Sequence, residues 1–339
     1  MKRHINVPIF IPHLGCPNDC VFCNQIIISG TQSFVADSVI PIIEESLKTV
    51  DEGAEIELAF FGGSFTGIDQ ELMEKLLIIG NSYLKQGRIS SIRCSTRPDY
   101  INDEILSKLI DYGVGTVELG IQSMNDSVLE ASKRGHTSEE TRAAVKLIKA
   151  RGLNLGGQMM IGLPGATSSD EIECAEFIAS SCDEARIYPT LVFKGTELAS
   201  FCDRGEYAPL SLDEAIERSA AVFRIFAESG VKVLRIGLCD SENLHSDETY
   251  YAGPNHAAMG ELVVSEYYYL KLKEAIKKQK KVNNSVSVKV AVGHTSKLIG
   301  QHRKNKIRLR SELGINRIRV VESQDIPEYS LALEAEERT

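Results

Sequence analysis

Three cysteines within eight residues carry the clearest chemistry in this sequence. Cys16, Cys20 and Cys23 stand at C-x3-C-x2-C spacing, shortly after an apolar run that ends at Ile11. Thiolate is the preferred ligand of iron–sulfur clusters, and a cubane 4Fe-4S cluster takes one ligand for each of its irons. Cysteines this close in sequence can surround only one small object. The spacing therefore predicts a 4Fe-4S cluster in which one iron has no cysteine and is open to another ligand.

Other uses of three close cysteines compete with this prediction. A structural zinc site needs four protein ligands, and no second pair of cysteines or histidines follows Cys23 within the usual roughly 15 to 20 residues. A ferredoxin-like electron carrier needs a fourth cysteine, normally followed by proline. A disulfide knot is not expected in a chain of 339 residues that has no secretory signal. Taken alone, the motif leaves zinc as the main alternative to the open cluster.

The composition is that of a globular protein without a membrane segment. Hydrophobic residues make up 43% of the chain and charged residues 25%, and no apolar run approaches the roughly 20 residues that span a bilayer. Met1-Lys2-Arg3 resembles the start of a signal peptide, but the apolar run behind it is short and interrupted by Pro8 and Pro12. We therefore expect a cytoplasmic, reducing location and no membrane partner. The remaining cysteines are expected to be core thiols: Cys94, Cys174, Cys182, Cys202 and Cys239.

Strand and helix patterns alternate six times along the first two thirds of the chain. Short connections between them predict a parallel sheet covered by helices, which right-handed crossovers curl into a barrel. We therefore expect an α/β fold, a partial (β/α)6 TIM-like barrel over residues 1–236, with a small C-terminal α/β extension. The predicted strands cover 5–11, 56–61, 89–95, 116–122, 153–161 and 184–190, with a short further strand at 231–236, and the predicted helices cover 39–50, 69–85, 103–112, 138–150, 169–180 and 212–229.

Unusual residues follow four of these predicted strands. The cysteine loop follows the first strand, and the others are followed by Gly62-Gly63-Ser64-Phe65-Thr66, by Thr96-Arg97-Pro98-Asp99 and by Gln122. The carboxyl ends of parallel strands meet at one mouth of such a barrel, and chemistry in these folds is located there. We therefore expect these motifs to converge around the cysteines.

Residues 237–260 form a polar, glycine-rich segment with little periodicity, which is long for a passive connector. We predict a lid or substrate loop here, extending with the following helix to residue 270, and a surface meander is the alternative. Its candidates for substrate contact or catalysis are Tyr250, Asn255 and His256.

The last segment, 271–339, is strongly basic. Between Lys271 and Arg319 fifteen Lys or Arg oppose only Glu274 and Glu312, within a chain of net charge −9. Strand, helix and strand are predicted over 286–292, 294–313 and 315–321. Residues 298–305 resemble the KH module, whose GXXG loop clamps a nucleic-acid backbone, although Arg303 replaces the second glycine. RNA contact, with Lys304 and Arg308 as the residues to test, and a plain basic cap are both open.

The barrel as a whole, about residues 5–236, resembles the radical S-adenosylmethionine (SAM) superfamily, of which the C-x3-C-x2-C loop and GGSFT are typical. It is more narrowly similar to the radical domain of the elongator complex catalytic subunit. The chain is too short for the acetyltransferase domain that follows the barrel there, so acetyl-CoA chemistry is not expected. The motifs that carry this similarity are Phe61-Gly62-Gly63-Ser64-Phe65-Thr66, Ser95-Thr96-Arg97-Pro98-Asp99, Val117-Glu118-Leu119-Gly120-Ile121-Gln122-Ser123, Lys133-Arg134-Gly135-His136 and Ile187-Tyr188-Pro189-Thr190-Leu191-Val192.

The resemblance implies a set of cofactor contacts. The open iron would chelate the amine and carboxylate of SAM, and glycines would let backbone groups approach the amine because they lack a β-carbon. A guanidinium is the best partner for the carboxylate. Ser95 stands where the family commonly has Glu, so its ribose contact would be weaker. The implied contacts are Gly62, Gly63 and Ser64 near the amine, Arg134 on the carboxylate, Ser95 and Gln122 on the ribose, and Ile161 with Gly162-Leu163 against adenine.

The resemblance also implies a reaction. A reduced cluster cleaves SAM to a 5′-deoxyadenosyl radical, which abstracts hydrogen from the substrate, and a one-electron reductant such as flavodoxin or ferredoxin is needed. We expect a nucleobase-like or tRNA-derived substrate, most concretely queuine, cleaved to 7-aminomethyl-7-deazaguanine by a queuine lyase. A tRNA-modifying enzyme of the elongator type is the alternative. An iron–sulfur electron-transfer protein is a further alternative, but it would not need GGSFT, Gln122 and Arg134.

Overall fold

One parallel sheet organises the first two thirds of the chain. The computed structural model describes residues 4–11, 16, 20–24, 34–51, 53–238, 246, 248–279 and 284–334. Within these residues seven strands pair in the order β1-β2-β3-β4-β5-β6-β8, all parallel. The predicted fold class is confirmed, and the short last strand extends the sheet to seven. These strands are β1 His4–Ile11, β2 Glu55–Gly62, β3 Ser91–Thr96, β4 Val114–Gln122, β5 Asn154–Ile161, β6 Glu184–Pro189 and β8 Lys232–Ile236.

Helices return the chain between the strands. The predictions for 138–150 and 212–229 match the observed bounds, because a capping box starts each helix: Thr137 with Glu140, and Ser211 with Glu214. Two short helices, α4 and α7, were not predicted. The helices of the barrel are α1 Val39–Lys48, α2 Gln70–Lys85, α3 Asp103–Asp111, α4 Asp126–Ala131, α5 Ser138–Ala150, α6 Ser168–Ser181, α7 Glu197–Asp203 and α8 Leu212–Ser229.

The sheet is strongly curled, and one side chain demonstrates it. Arg93 of β3 donates to Glu57 of β2 at 2.6 Å, to Glu118 of β4 at 2.6 Å and to Glu184 of β6 at 2.8 Å. Neighbouring strands lie about 4.8 Å apart, so in a flat sheet β6 would be about 14 Å from β3. Side chains stand roughly perpendicular to a flat sheet, so those of Arg93 and Glu184 would not meet across that distance. The strands therefore bend around a lumen that the side chain of Arg93 crosses.

This lumen contains a buried layer of ionic side chains. Arg186 of β6 donates to both oxygens of Glu118, and Gln158 of β5 donates to the same carboxylate at 2.8 Å. Burial alone would raise the pKa of Glu118, but the hydrogen bonds and charges of Arg186 and Arg93 outweigh it and lower the pKa. Glu118 therefore remains ionised, and the layer needs both arginines to compensate its carboxylates.

The C-terminal part packs on the outside of the barrel. Helix α9, Met259–Lys277, lies against α8, and the sheet beside it has the order β11-β10-β12. Its strands are β10 Ser285–Val290, β11 Arg317–Glu322 and β12 Leu331–Leu333, of which β10 and β11 are parallel. The predicted domain boundary after residue 270 falls inside α9, because apolar residues such as Leu272 and Ile276 continue the buried face of that helix.

The predicted helix over 294–313 is two helices. α10, Thr295–Ile299, ends at Gly300, a 3-10 turn covers Gln301–Arg303, and α11 spans Lys304–Leu313. Gly300 has φ +78°, and a β-carbon there would lie 2.9 Å from the Ser265 hydroxyl of α9. The helix breaks because the backbone must approach α9 closely at this glycine.

Two further sequence predictions concern burial. Cys94, Cys174 and Cys182 are buried free thiols, as predicted, whereas Cys202 is only partly buried and Cys239 lies outside the described residues. Burial raises the pKa of Cys94 to about 12, so this thiol stays protonated at neutral pH. In the described part of the chain, no helix combines the length and the hydrophobicity that crossing a membrane requires.

The ionic layer generates a stability prediction. Arg93→Ala leaves Glu57 buried without its arginine partner and leaves Glu118 with Arg186 alone, which should lower the free energy of unfolding by about 3–5 kcal/mol. Arg151→Ala is the matched control, because its pair with Asp103 is exposed and should change the free energy by less than about 1 kcal/mol. Chemical denaturation of both variants measures the difference. Equal, small losses would show that the layer does not hold the barrel together.

Candidate active site

The described part of the cysteine loop around Val21 is hydrogen-bonded to segments that follow β4 and β6. The Val21 amide donates to the Ser132 carbonyl, and the Leu198 amide donates to the Val21 carbonyl at 2.8 Å. Val21 is buried and packs with Val192, Leu198 and Ala199. The chain therefore leaves β1 on one side of the mouth and is attached to the segments after β4 and β6 on the other side.

The three thiols lie in this loop in different surroundings. Cys20 is buried, whereas Cys16 and Cys23 are partly exposed. The Arg134 guanidinium donates from Nη1 to the Cys20 sulfur at 3.4 Å, and the Cys16 sulfur lies 3.5 Å from the Ser64 hydroxyl. In the part of the chain that the structure describes, no three candidate metal ligands converge, and residues 17–19 between the cysteines lie outside that part. Cluster ligation by the cysteines stays a prediction.

Gly62 fixes the entry of the cysteine loop. It has φ +112°, and a β-carbon there would lie 2.4 Å from the Ile11 carbonyl oxygen. The next amide, of Gly63, donates to that same oxygen at 2.9 Å. Glycine at position 62 is thus required by the packing of β2 against the last residue of β1. Approach to the SAM amine is a further prediction for these glycines, and both are partly exposed at the mouth.

Arg97 is a site residue that sequence reasoning did not select, although its Thr96-Arg97-Pro98-Asp99 motif stood out. Its guanidinium is buried and forms a bidentate pair with Asp99, at 2.9 and 3.0 Å. The remaining Nη1 has no hydrogen-bond partner among the described residues. Burial alone would lower the pKa of Arg97, but Asp99 and the charges of Cys20 and Cys16 raise it. Arg97 thus presents a cation toward the cysteine loop.

Arg134 is positioned from β4. Its Nη2 donates to the Gly120 carbonyl at 2.8 Å, and a β-carbon at position 120 would lie 3.1 Å from that same nitrogen. Gly120, which the sequence analysis quoted only within a motif, therefore makes room for the guanidinium. The result is a second buried cation beside Cys20, where it could hold the carboxylate of SAM.

Gln122 ends β4 in a strained conformation. Its φ is +65°, which is uncommon for a residue with a side chain, and the register with β5 shifts between Gly120 and Gln122. Its Oε1 is buried and has no hydrogen-bond partner among the described residues. Ser95 of β3 is partly exposed. It lies two residues after Arg93, so its side chain is on the same, lumen side of the strand. Both stay candidates for the ribose.

Ile161 does not present its side chain to the mouth. The side chain is fully buried in the main hydrophobic core, and its carbonyl accepts from the Thr190 amide at 2.9 Å. The residue was predicted to lie against adenine, and the structure leaves only its backbone at the strand end for such a contact. Periodicity could have indicated this, because inward and outward positions alternate along a strand.

The predicted lid is only partly described, since 239–245 and 247 lie outside the described residues. Tyr250 belongs to β9, Tyr250–Ala252, which pairs with β7, Val192–Phe193, and its hydroxyl donates to the Gly253 carbonyl. His256 Nδ1 accepts from the Ala258 amide at 3.0 Å, ahead of α9. Asn255 follows Gly253, which packs against Thr190 beyond β6. These residues line the edge of the mouth, and Tyr250 and His256 also order their own loop.

His136 lies beneath the same mouth and is neutral. Burial and the nearby charges of Arg134 and Arg97 lower its pKa to about 3. A histidine with this pKa does not gain a proton between pH 5 and 8. It therefore adds no positive charge beside the two guanidinium groups.

The donor set fits the implied cofactors. Three of the buried polar atoms that have no hydrogen-bond partner in the described residues stand at strand ends: Arg97 Nη1 after β3, Gln122 Oε1 on β4 and Thr190 Oγ1 after β6. Such atoms cost free energy unless a polar ligand meets them. The amine, carboxylate and ribose of SAM offer the complementary groups. When bound, the cluster and SAM supply one-electron cleavage chemistry, and the protein supplies two cations and a polar mouth.

The cysteine loop generates a metal-content prediction. Cys20→Ala should abolish retention of iron after anaerobic reconstitution, because it removes one of three thiolate ligands. Cys182→Ala is the control, since this thiol directly follows α6 and precedes the start of β6, at the opposite end of the strand from the mouth. The iron and zinc content of both variants measures this loss of iron. Full iron content in Cys20→Ala, or zinc in the unaltered protein, contradicts the cluster assignment.

Arg97 generates a binding prediction. Arg97→Gln removes a charged donor aimed at the mouth, and a hydrogen bond to a charged group contributes about 1.5–3 kcal/mol, so SAM should bind roughly ten- to a hundredfold more weakly. Arg142→Gln is the control, because this guanidinium is exposed and lies over the Phe177 ring. Equilibrium binding of SAM to the reconstituted proteins measures the difference. Unchanged affinity with full iron content would exclude Arg97 from the cofactor site.

Comparison with known proteins identifies the family of this chain. The sequence family described as the Radical SAM superfamily matches residues 10–178, and the Radical_SAM C-terminal domain matches 182–269. A tRNA uridine(34) acetyltransferase of Methanocaldococcus jannaschii is 32% identical over 198 residues, which cover 52% of this chain and 36% of that protein. This chain thus spans little more than a third of that relative's length.

Solved structures agree on the fold. The archaeal Methanocaldococcus infernus Elp3 aligns with a TM-score of 0.62 and 25% identity, covering 81% of this chain and 64% of that one. A queuine lyase from Clostridium spiroforme aligns over 53% of this chain with a TM-score of 0.39 and 17% identity, too little to support an argument. The two family matches together span most of the chain, and the first of them includes the cysteine loop. This protein belongs to the radical SAM superfamily, and is an enzyme that uses a 4Fe-4S cluster and SAM.

Proposed function

We propose that this radical SAM enzyme modifies tRNA. The observation that carries the proposal is the similarity of its radical domain to that of tRNA uridine(34) acetyltransferases, at 32% identity over 198 residues. The motifs at the mouth, with Arg97, Arg134 and Gln122 beside the cysteine loop, belong to the matched region 10–178. The substrate is proposed for the radical domain alone, because the chain spans 36% of that relative.

The queuine lyase prediction has no specific support and is not proposed further. The elongator-type alternative is favoured, because the sequence similarity covers about half of this chain in the tRNA uridine(34) acetyltransferases of two archaeal organisms. A cytoplasmic location and a flavodoxin or ferredoxin as the electron donor fit this proposal, since tRNA is a cytoplasmic substrate and a reducible cluster requires a reducing compartment.

In this proposal, the residues of the mouth have different roles in binding SAM. Arg97 and Arg134 hold the carboxylate of SAM, and Gln122 orients the ribose with its unbonded Oε1. The ionic layer of Arg93, Glu57, Glu118 and Arg186 closes the lumen below the mouth. The members of this layer hydrogen-bond to one another. The layer therefore excludes water from the lumen beneath the mouth.

The test compares tRNA with a free base. The reconstituted protein is incubated anaerobically with SAM, a reductant and deuterated tRNA from a strain that lacks the gene. We expect 5′-deoxyadenosine that carries deuterium and a mass change in one tRNA nucleoside. Cys20→Ala is the control and should form neither product.

Other outcomes contradict the proposal in distinguishable ways. If added queuine is consumed while the tRNA is unchanged, the queuine lyase prediction is restored. SAM cleavage without deuterium transfer from tRNA would exclude tRNA as the hydrogen donor. Absence of 5′-deoxyadenosine from the unaltered protein, with full iron content, would favour an electron-transfer protein.

A further inference from the structure

We propose that the outward face of α11 and the turn before it form an RNA-binding surface that holds the substrate at the edge of the mouth. We call Arg303, Lys306, Ile307 and Arg310 the basic face. This proposal rests on the proposed tRNA function and goes beyond it, because it assigns RNA contact to a part of the chain outside both family matches, which end at residue 269.

Helical geometry separates this face from the packed side of α11. Positions three and four apart lie on one side of a helix, so Lys306, Ile307 and Arg310 form one stripe. Arg303 lies in the turn directly before the helix and has a left-handed backbone conformation. Arg303, Ile307 and Arg310 are exposed, Ile307 by 63%, and Lys306 is partly exposed. The basic face combines three cations with one aliphatic side chain and contains no acid.

The basic residues first selected from the sequence lie on the other side. Lys304 pairs with Asp213 of α8 at 3.1 Å, and Arg308 pairs with Glu266 of α9 and lies over the Tyr269 ring. These contacts attach α11 to the barrel helices. Exchange of Arg308 would remove contacts that hold α11 in place, and Lys304 is engaged in an exposed pair with Asp213. The basic face therefore reports RNA contact more directly than these two residues.

Charge complementarity points to a polyanion. From Asn284 to Arg319 the only acidic residue is Glu312, and its carboxylate is held by Lys273 of α9 at 2.5 Å. The cations of the basic face therefore stand without nearby acids on their own helix, although the whole chain has net charge −9. Seven residues of helix extend about 10 Å, which matches about three phosphates along one strand of a duplex.

The turn before α11 is held in place from behind. Asn305 is buried, and its Nδ2 lies 2.9 Å from the Ser265 carbonyl, the Ser265 hydroxyl and the Leu298 carbonyl. In front of it His302 and Arg303 have φ +51° and +61°, so two consecutive residues with side chains adopt the left-handed conformation. The hydrogen bonds of this buried amide fix the turn to α9. In this arrangement Arg303 is exposed.

The fold around the turn matches a nucleic-acid module in its order of elements. β10, α10, the Gly300–Arg303 turn, α11 and β11 follow one another, and β10 pairs parallel with β11. In KH modules the loop between the two helices clamps the nucleic-acid backbone. Arg303 replaces the second glycine of that loop, so a side-chain cation would meet the phosphate there in place of a close backbone approach.

The turn also lies at the correct end of the barrel. α8 and the start of α9 follow β6 and β8, and a helix that follows a barrel strand begins at the mouth. Lys304 contacts Asp213 in the first turn of α8, and Gln301 contacts Glu261 in the first turn of α9. The basic face therefore starts at the rim of the mouth, so RNA bound along it can continue to the site.

The test uses the full-length reconstituted protein and a neutral triple variant, Arg303→Gln with Lys306→Gln and Arg310→Gln. The control exchanges three exposed lysines on the opposite side of the barrel, Lys75→Gln, Lys85→Gln and Lys146→Gln. Affinity for labelled total tRNA is measured by anisotropy at several salt concentrations. The triple variant should bind about tenfold or more weakly at ~100 mM salt, and its slope of log Kd against log salt should fall by about three.

SAM cleavage in the absence of RNA separates this proposal from the previous one. The triple variant should form 5′-deoxyadenosine as fast as the unaltered protein, because the basic face lies outside the mouth. Unchanged tRNA affinity and slope in the triple variant, with tight binding by the unaltered protein, would overturn the basic face and leave the tRNA function standing. If the unaltered protein binds no tRNA, or binds anionic vesicles in preference, both proposals fail together.

Discussion

The contact of Arg93 with carboxylates on three strands is the constraint on which the barrel depends. Strands β2, β4 and β6 can present Glu57, Glu118 and Glu184 to one guanidinium only if the sheet bends sharply. The same bend brings the carboxyl ends of these strands toward one another. An ionic layer in the lumen thus determines the geometry of the mouth, even though none of its residues is predicted to touch the cofactor. Glycine at position 156 makes room for it, since a β-carbon there would lie 2.9 Å from Glu118.

Above this layer, positions without side chains decide where the charged groups stand. Gly62 allows β2 to meet the last carbonyl of β1, and Gly120 allows Arg134 to cross β4. Both are backbone requirements whose consequence is an arrangement of cations around Cys16 and Cys20. A cluster of thiolates carries negative charge, and buried guanidinium groups compensate such charge better than surface lysines, because they stay ionised when desolvated. The mouth is therefore preorganised electrostatically by its backbone.

Much of this could be predicted from local sequence, and the remainder depends on distant contacts. Alternating strand and helix patterns predicted the barrel and the bounds of the helices at 138–150 and 212–229, each of which begins with a capping box in the structure. The hydrogen bonds that a side chain makes cannot be predicted in this way. Arg97 looked like part of a strand-end motif, but only the fold shows its unbonded nitrogen near the cysteines. Ile161 was selected by similarity, and the pleat of β5 turns its side chain into the core.

The C-terminal helices show why a basic sequence does not by itself identify a binding surface. In one continuous helix from residue 294 to 313, a single periodicity would decide which side chains face outward. The helix breaks at Gly300, and a new periodicity begins at Lys304. In that periodicity, residues 304, 308 and 312 pair with residues of α8 and α9, while 306 and 310 face outward, together with Arg303 of the preceding turn. The distinction follows from Gly300, because its close approach to Ser265 determines where α11 begins. A single backbone contact therefore divides the cations of one helix into those that stabilise the fold and those available to a polyanion.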